Sequence, residues 1–233
     1  MKISVMIIAK NEEKSISTCL NSVKFADEVV LIDDYSTDKT AVIARNLKAK
    51  VYKRKLDGFA SQKNFGIKKC KNKWVLILDA DESLTPELQS EIKKIKSSNN
   101  VAYDMPFRNY VGDYWLKHGG LYPDRHIRLI NKEKAQYGPR EIHETLTIQG
   151  RVGHLKNDII HKTYANYSEY LDKVKKYASI EAQTDRDKPP ITLPLKVFYG
   201  KFIKEKGYKD RINGLKSALL LSYYPFYKRK MMK

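Results

Sequence analysis

The sequence predicts an α/β fold, a mostly parallel, Rossmann-like sheet flanked by helices, with a helical and basic C-terminal extension. Over the first eighty residues an apolar run, a polar loop and an amphipathic stretch follow one another three times, which is the rhythm of βαβ units. One run, Trp74 to Leu78, is apolar at every position, as a central parallel strand covered on both faces is. A length of 233 residues with 42% hydrophobic and 31% charged residues supports one large or two small domains around a proper core and excludes a disulfide-stapled minidomain or a long disordered tail.

In chain order, Ile3 to Ala9 reads as a buried strand. Asn11 is placed to cap a helix with Glu12 and Glu13 in its first turn and Ile16, Leu20 and Val23 on its apolar face. Glu28 to Ile32 is the second strand, and Asp33 to Asp38 a loop into a helix that aligns Ile43 with Leu47. A short strand lies near Val51 and Tyr52. Gly58 opens a helix from Phe59 to Lys69, Trp74 to Leu78 follows as a strand, and Pro86 starts a helix reaching Lys96. From Tyr103 to Ile130 the pattern is strand-like and aromatic, broken by Gly119-Gly120 and Pro123-Asp124; Tyr164 to Gln183 reads as a helix stopped by Lys188-Pro189-Pro190. The expected divisions are 1–100, 101–165 and 166–233.

The net charge is +18, which implies a polyanionic partner: nucleic acid, anionic lipid or a phosphorylated substrate. Half of the excess sits from Lys196 to Lys233, where eleven Lys or Arg face only Glu205 and Asp210 and are interleaved with aromatics. That mixture suits the headgroup region of an anionic bilayer, and equally a solvated basic face packed on the main domain. Cys19 and Cys70 lack paired spacing, so a reducing compartment is expected. The run Ile3 to Ala9 is too short for a signal peptide or a membrane span.

In an open parallel sheet, ligands bind beyond the carboxyl ends of the strands. There stand Lys10, Asn11 and Glu12, then Asp33 and Asp34, then Asp79, Asp81 and Glu82. Acids gathered at one edge of a basic protein repel one another unless a cation lies among them, and hard oxygen ligands suit Mg²⁺ or Mn²⁺. An Asp-x-Asp after a strand is also common wherever a strand becomes a turn.

The segments Ser4 to Glu12, Ile32 to Asp38 and Asp79-Ala80-Asp81-Glu82, in this order and spacing, resemble family 2 of the glycosyltransferases. Gly119 to Asp124, Arg128-Leu129, Ile142-His143-Glu144 and Ile160-His161 extend the resemblance to the lipopolysaccharide core β-1,4-glucosyltransferase branch. The pattern departs at Leu121, where an aromatic is expected, and at Arg211, where a glycine is expected. The resemblance implies an A-type glycosyltransferase fold, a UDP-sugar donor, a divalent cation (Mn²⁺ or Mg²⁺) and inversion at the anomeric carbon.

It also distributes roles. Ala9, Lys10, Asn11 and Glu12, with Asp34 and Asp33, are expected around the uracil and ribose; helix capping is the other use for Asp33 and Asp34. Lys63 and Asn64 lie in the stretch expected beside the nucleotide, Lys63 either countering phosphate charge or standing as a solvated helix lysine. Asp81 is the expected direct metal ligand, Asp79 contacts sugar or metal, and His161 is a third ligand or a structural histidine. Inversion requires a base for the acceptor hydroxyl: Glu144 is the candidate, with His143 orienting it or contacting the diphosphate, and Asp124 is the second choice, while arginine-paired loop acids are the other reading of both. Tyr110, Tyr114, Trp115 and Tyr122 suit either a sugar platform or a small core.

The expected activity is transfer of a hexose, with glucose from UDP-glucose foremost, onto a lipid-linked saccharide, by a cytoplasmic protein peripheral on the inner face of the membrane. A sugar nucleotidyltransferase would want a glycine-rich loop after the first strand, where Lys10 to Glu13 stand. A nucleic-acid-binding protein is disfavoured by acids at the strand ends, which repel a phosphate backbone.

Overall fold

The apolar run Ile3–Ala9 is strand β1, all of it buried except the half-exposed Ile8, in a computed structural model that describes residues 1–96, 99–138, 146–185 and 187–232. It is followed by α1 (Ile16–Asn21), β2 (Glu28–Asp33), α2 (Thr40–Asn46), β3 (Lys50–Lys53), α3 (Phe59–Lys69), β4 (Trp74–Asp79), β5 (Glu82–Leu84) and α4 (Pro86–Lys93). Then come β6 (Asn100–Val111), β7 (Tyr114–Trp115), β8 (Asp124–Asn131), β9 (Ala135–Tyr137), β10 (Leu146–Ile148), β11 (Arg151–His154) and β12 (Ile159–Tyr164), and finally α5 (Tyr167–Thr184), α6 (Leu193–Tyr199) and α7 (Arg211–Met231). A π turn, Gly200–Lys204, and a 3₁₀ turn, Gly207–Asp210, join α6 to α7. The strand order is β3-β2-β1-β4-β8-β6-β12-β5.

The chain forms two compact units, Met1–Phe107 with Arg125–His161, and Arg108–Asp124 with Lys162–Lys233. In the first, β3, β2, β1 and β4 run parallel. Alternation along the strands sends Val5, Ile7, Leu31, Leu76 and Leu78 to a layer with Ile16 and Leu20 of α1 and Leu88 and Ile92 of α4. Met6, Val30, Ile32, Val75 and Ile77 form the opposite layer with Ala60 and Ile67 of α3. Gly66 lets α3 close on the sheet, for a Cβ there would lie 2.7 Å from the Met6 side chain.

Three boundaries differ from the sequence expectation. α1 begins at Ile16 rather than after Asn11: Asn11 has φ +55°, and its Oδ1 accepts the Thr37 N–H at 2.8 Å, so the chain turns before a helix can start. α4 ends at Lys93 rather than Lys96, with Thr85 Oγ1 capping its start by accepting from the Leu88 N–H. α5 starts at Tyr167 because Tyr164 is still the last residue of β12, and Asn166 Oδ1 caps it through the Glu169 N–H at 3.0 Å.

Beside β1, the buried Glu28 carboxylate accepts from Ser4 Oγ and the Lys71 N–H, each at 2.7 Å, and pairs with Lys50 Nζ at 2.8 Å. Burial raises its pKa, but the bonds from Lys50, Ser4 and Lys71 outweigh burial and hold it below the usual carboxylate value. A depressed pKa stabilises the fold above the unfolded-state value and ceases to do so as pH falls through the folded one. Glu28→Gln is therefore expected to cost about 1–3 kcal/mol in urea unfolding at neutral pH, the gap to wild type closing below about pH 4. An equal gap at both pH values would count against this account.

In the second unit, Asp210 is buried and accepts from the Lys117 and His118 N–H groups at 2.8 Å each, with His118 Nδ1 also 2.8 Å away, tying the 112–124 loop to the end of the 3₁₀ turn. The next residue, Arg211, has φ +52° and ψ −133°, a region that glycine enters freely and other residues enter at a cost. Glycine is the residue that the resemblance expects there. Val111 and Leu116 pack with Tyr170 and Val174 of α5. Trp115 meets Tyr122 edge-on at 5.1 Å and lies under Arg108 and Lys117, 4.7 and 4.6 Å from its ring centre. Among the described residues, no helix is long and apolar enough to cross a membrane.

Candidate active site

The register of the parallel strands decides which side chains meet. Ala9 of β1 stands opposite Asp33 of β2, and Ile8 opposite Asp79 of β4. The two aspartates thus flank β1 at the carboxyl edge, where ligands of such sheets bind.

The loops after β1 and β2 are laced together. The Asn11 N–H donates to Ser36 Oγ at 3.0 Å, the Glu12 N–H to Thr40 Oγ1 at 2.7 Å, and Ala9 accepts from the Asp34 N–H at 2.9 Å. Glu12 also accepts a short bond from Ser15 Oγ. Asp34 has both carboxylate oxygens engaged, one by Lys10 Nζ at 2.7 Å and one by the Leu56 N–H at 2.9 Å. Burial opposes its charge, but these donors outweigh it and hold the carboxyl below its usual pKa. Asp33 accepts from the Ser36 N–H with Oδ1, whereas its buried Oδ2 has no hydrogen-bond partner among the described residues.

The end of β4 is more heavily charged. After Asp79 the chain turns through Ala80 and Asp81 into β5, which pairs antiparallel with β12 and sets Glu82 opposite His161. His161 Nε2 thereby comes within 3.5 Å of Asp81 Oδ2, its ring edge-on to Phe107. Arg128 reaches in from β8, 3.2 Å from Asp79 Oδ2 and in a short ion pair with Glu82, while Glu82 Oε2 accepts the Asp79 N–H at 3.0 Å. Burial pushes Glu82 up to about 7, against the pull of Arg128. On Asp79 burial acts in the same direction but is outweighed by Arg128, Lys63 and His161, so its pKa is lowered. Burial disfavours charged His161, yet the bond and charge of Asp81 raise its pKa.

Asp79 Oδ1, like Asp33 Oδ2, is buried without a hydrogen-bond partner among the described residues. A carboxylate oxygen in that condition needs a cation or a ligand donor. No three His, Cys, Asp or Glu side chains form a ready metal-ligand group among the described residues, so the expected set Asp79, Asp81 and His161 is not a closed cage. Mg²⁺-like ions are held by one or two carboxylates and completed by substrate phosphates. The orphaned Asp79 oxygen and the quarter-exposed Asp81 carboxylate are a donor set of that kind.

The other expected residues have the following partners. Asn64, anticipated beside the nucleotide, spends both ends of its amide on the Tyr137 backbone, donating at 2.9 Å and accepting at 3.1 Å; this fastens α3 to β9. Lys63, on the same helix, has its ammonium 5.3 Å over the Tyr137 ring. Asp124 belongs to the second unit, where Asn109 Nδ2 donates to it at 3.0 Å. His143 and Glu144 lie outside the described residues.

The model of the family described as "Glycosyl transferase family 2" matches residues 4–152, the stretch that holds every strand end just described. The chain belongs to glycosyl transferase family 2. It is therefore a glycosyltransferase, an enzyme of the A-type α/β architecture. Among relatives within this family, an uncharacterized glycosyltransferase of Rickettsia typhi is 36% identical over 198 residues, 78% of this chain and 67% of its own. One from Rickettsia bellii is 51% identical over 100 residues, 42% of this chain and 34% of its own. This chain thus spans between a third and two thirds of those two proteins. The lipopolysaccharide core biosynthesis glycosyltransferase LpsC of Rhizobium meliloti is 25% identical over 242 residues, 97% of this chain and 90% of its own. The crystal structure of S. aureus TarS 1-349 superposes with a TM-score of 0.50 at 19% identity, covering 98% of this chain and 88% of that one, a likeness of fold.

Sequence reasoning did not place Arg128 among the acids of this glycosyltransferase site. Its signal is a cation inside an apolar strand, Ile127-Arg128-Leu129-Ile130, which needs a buried anion.

Proposed function

We propose that the protein is an inverting hexosyltransferase that moves a sugar from a nucleotide-diphosphate donor, UDP-glucose foremost, to a lipid-linked saccharide such as lipopolysaccharide core, at the inner face of the cytoplasmic membrane. The observation that carries this reading is the pair of unpartnered carboxylate oxygens, Asp33 Oδ2 and Asp79 Oδ1, at the ends of the strands on either side of β1. The LpsC relative supports the acceptor class.

The side chains divide the work by what each has left to offer. Asp33 Oδ2 is the acceptor available to the nucleoside, while Asp34 holds Lys10 and the Leu56 backbone as the recess around it. Asp81 and Asp79 Oδ1 would hold the divalent cation, with His161 steadying Asp81. That cation, when bound, would neutralise charge on the departing diphosphate. Lys63, whose charge is felt at Asp79, adds a second positive group on the same side. Arg128 and Glu82 fix the Asp79 carboxylate and backbone so that little reorganisation is needed on binding. Glu144, a residue outside the described ones, is the base proposed for the acceptor proton, and Asp124 is the alternative.

Incubation with a panel of UDP-sugars and Mn²⁺, read as UDP release, and titration calorimetry of UDP with and without Mn²⁺ test the proposal. The expected result is UDP affinity that rises at least about tenfold with Mn²⁺ and turnover with one UDP-hexose. Neither release nor metal-dependent UDP binding would overturn it.

A further inference from the structure

We infer that α6 and the following π turn lie flat in the headgroup layer of an anionic phospholipid bilayer, inserting Leu195, Tyr199 and Ile203, and that the apolar groove beside α6 seats a phospholipid acyl chain. The inference rests on the membrane-borne acceptor of the proposed function and adds the surface that reaches it.

Leu195, Tyr199 and Ile203 recur every fourth residue, which places them along one stripe, and they are 74%, 54% and 45% exposed. α6 buries none of its residues. An exposed apolar stripe of this kind marks an interaction surface. Within the same unit, Leu171 of α5, Pro194 of α6 and Leu219, Leu220, Tyr223 and Phe226 of α7 line an apolar groove of about 490 Å³. Leu219 and Phe226 are half exposed at its edge.

Charge selects the occupant. Lys196, Lys204, Lys206 and Lys209 are exposed beside the stripe and make no ion pair among the described residues. Of the two acids after Lys196, Glu205 pairs with Lys201 at 2.8 Å and Asp210 is buried against His118. Neither acid of this segment is left to neutralise these lysines, and their long stems let ammonium groups rise to phosphate level while the stripe sits deeper. Interleaved Lys and apolar residues fit a lipid headgroup layer, where phosphate lies directly over hydrocarbon.

The test pellets the full chain with vesicles of phosphatidylcholine alone and of phosphatidylcholine mixed with phosphatidylglycerol. Binding is expected to be about tenfold or more tighter to the anionic vesicles, and the double variant Leu195→Ser/Ile203→Ser should lose about tenfold of it with an unchanged circular dichroism melt. Tyr199→Trp and Tyr223→Trp should each be quenched by brominated acyl chains beyond the Trp74 and Trp115 baseline. Equal binding to neutral and anionic vesicles, or serine variants that bind as wild type does, would overturn the proposal. So would sedimentation showing that the stripe joins two copies of this chain without lipid; an unquenched Tyr223→Trp would overturn the groove's role. Mn²⁺-dependent UDP binding, measured without vesicles, reports separately on the transferase reading.

Discussion

Asp81→Asn is expected to lower UDP-sugar turnover by about three orders of magnitude while moving the thermal midpoint by only a few degrees. The amide matches the carboxylate in shape and can still face His161, which lies 3.5 Å away; what it lacks is charge. Asp81 has no arginine partner among the described residues and is a quarter exposed, so removing its charge strands no guanidinium, and His161 can respond by losing its proton. The loss falls on the ligand side instead. A neutral amide is a poor partner for a hard divalent ion, and the charge of a leaving diphosphate goes unscreened. Steady-state UDP release together with calorimetric UDP titration in Mn²⁺ checks this: a variant that keeps more than about a tenth of wild-type turnover would remove Asp81 from the role proposed for it.

Arg128→Met should have the largest effect on stability, about 3–5 kcal/mol in urea unfolding. The guanidinium joins Asp79 and Glu82 and lies 5.1 Å over the Phe107 ring. Methionine fills much of the volume but strands a fully buried Glu82 beside Asp79. Adding Glu82→Gln should recover a substantial part of the loss, because the unpaired charge, not the missing bond, is the main penalty. A double-mutant cycle gives the coupling directly. If the second substitution recovers nothing, the destabilisation comes from packing around Phe107 and the ion pair is incidental.

The fold was readable where one local signal dominated. The uninterrupted apolar runs of β1, β2 and β4 and the glycine-opened α3 stand close to where hydrophobic pattern and turn chemistry place them. α1 was misjudged at its start because Asn11, a good capping residue by type, is drawn into the loop after β2 by Thr37 and Ser36. At the site, the strand-end rule located Asp33, Asp34, Asp79 and Asp81, since it depends only on where an apolar run stops. It could not tell that Asp34 has its oxygens occupied while Asp33 keeps one free, nor that Asn64 fastens β9. Those outcomes depend on partners far along the chain. Arg128 is 46 residues from Glu82, and the pairing of β5 with β12 leaves no trace in either segment alone.

That pairing carries a consequence for biosynthesis. The aspartates leave the ribosome well before the arginine that balances them, and earlier still than the histidine strand that closes over their turn. A nascent chain halted short of β8 already holds the three strand-end motifs up to Glu82 yet has no countercharge for that glutamate. The centre is completed only when late segments return to an early edge, so an N-terminal fragment cut just after Glu82 would carry the acidic strand ends without the arginine and histidine that surround them.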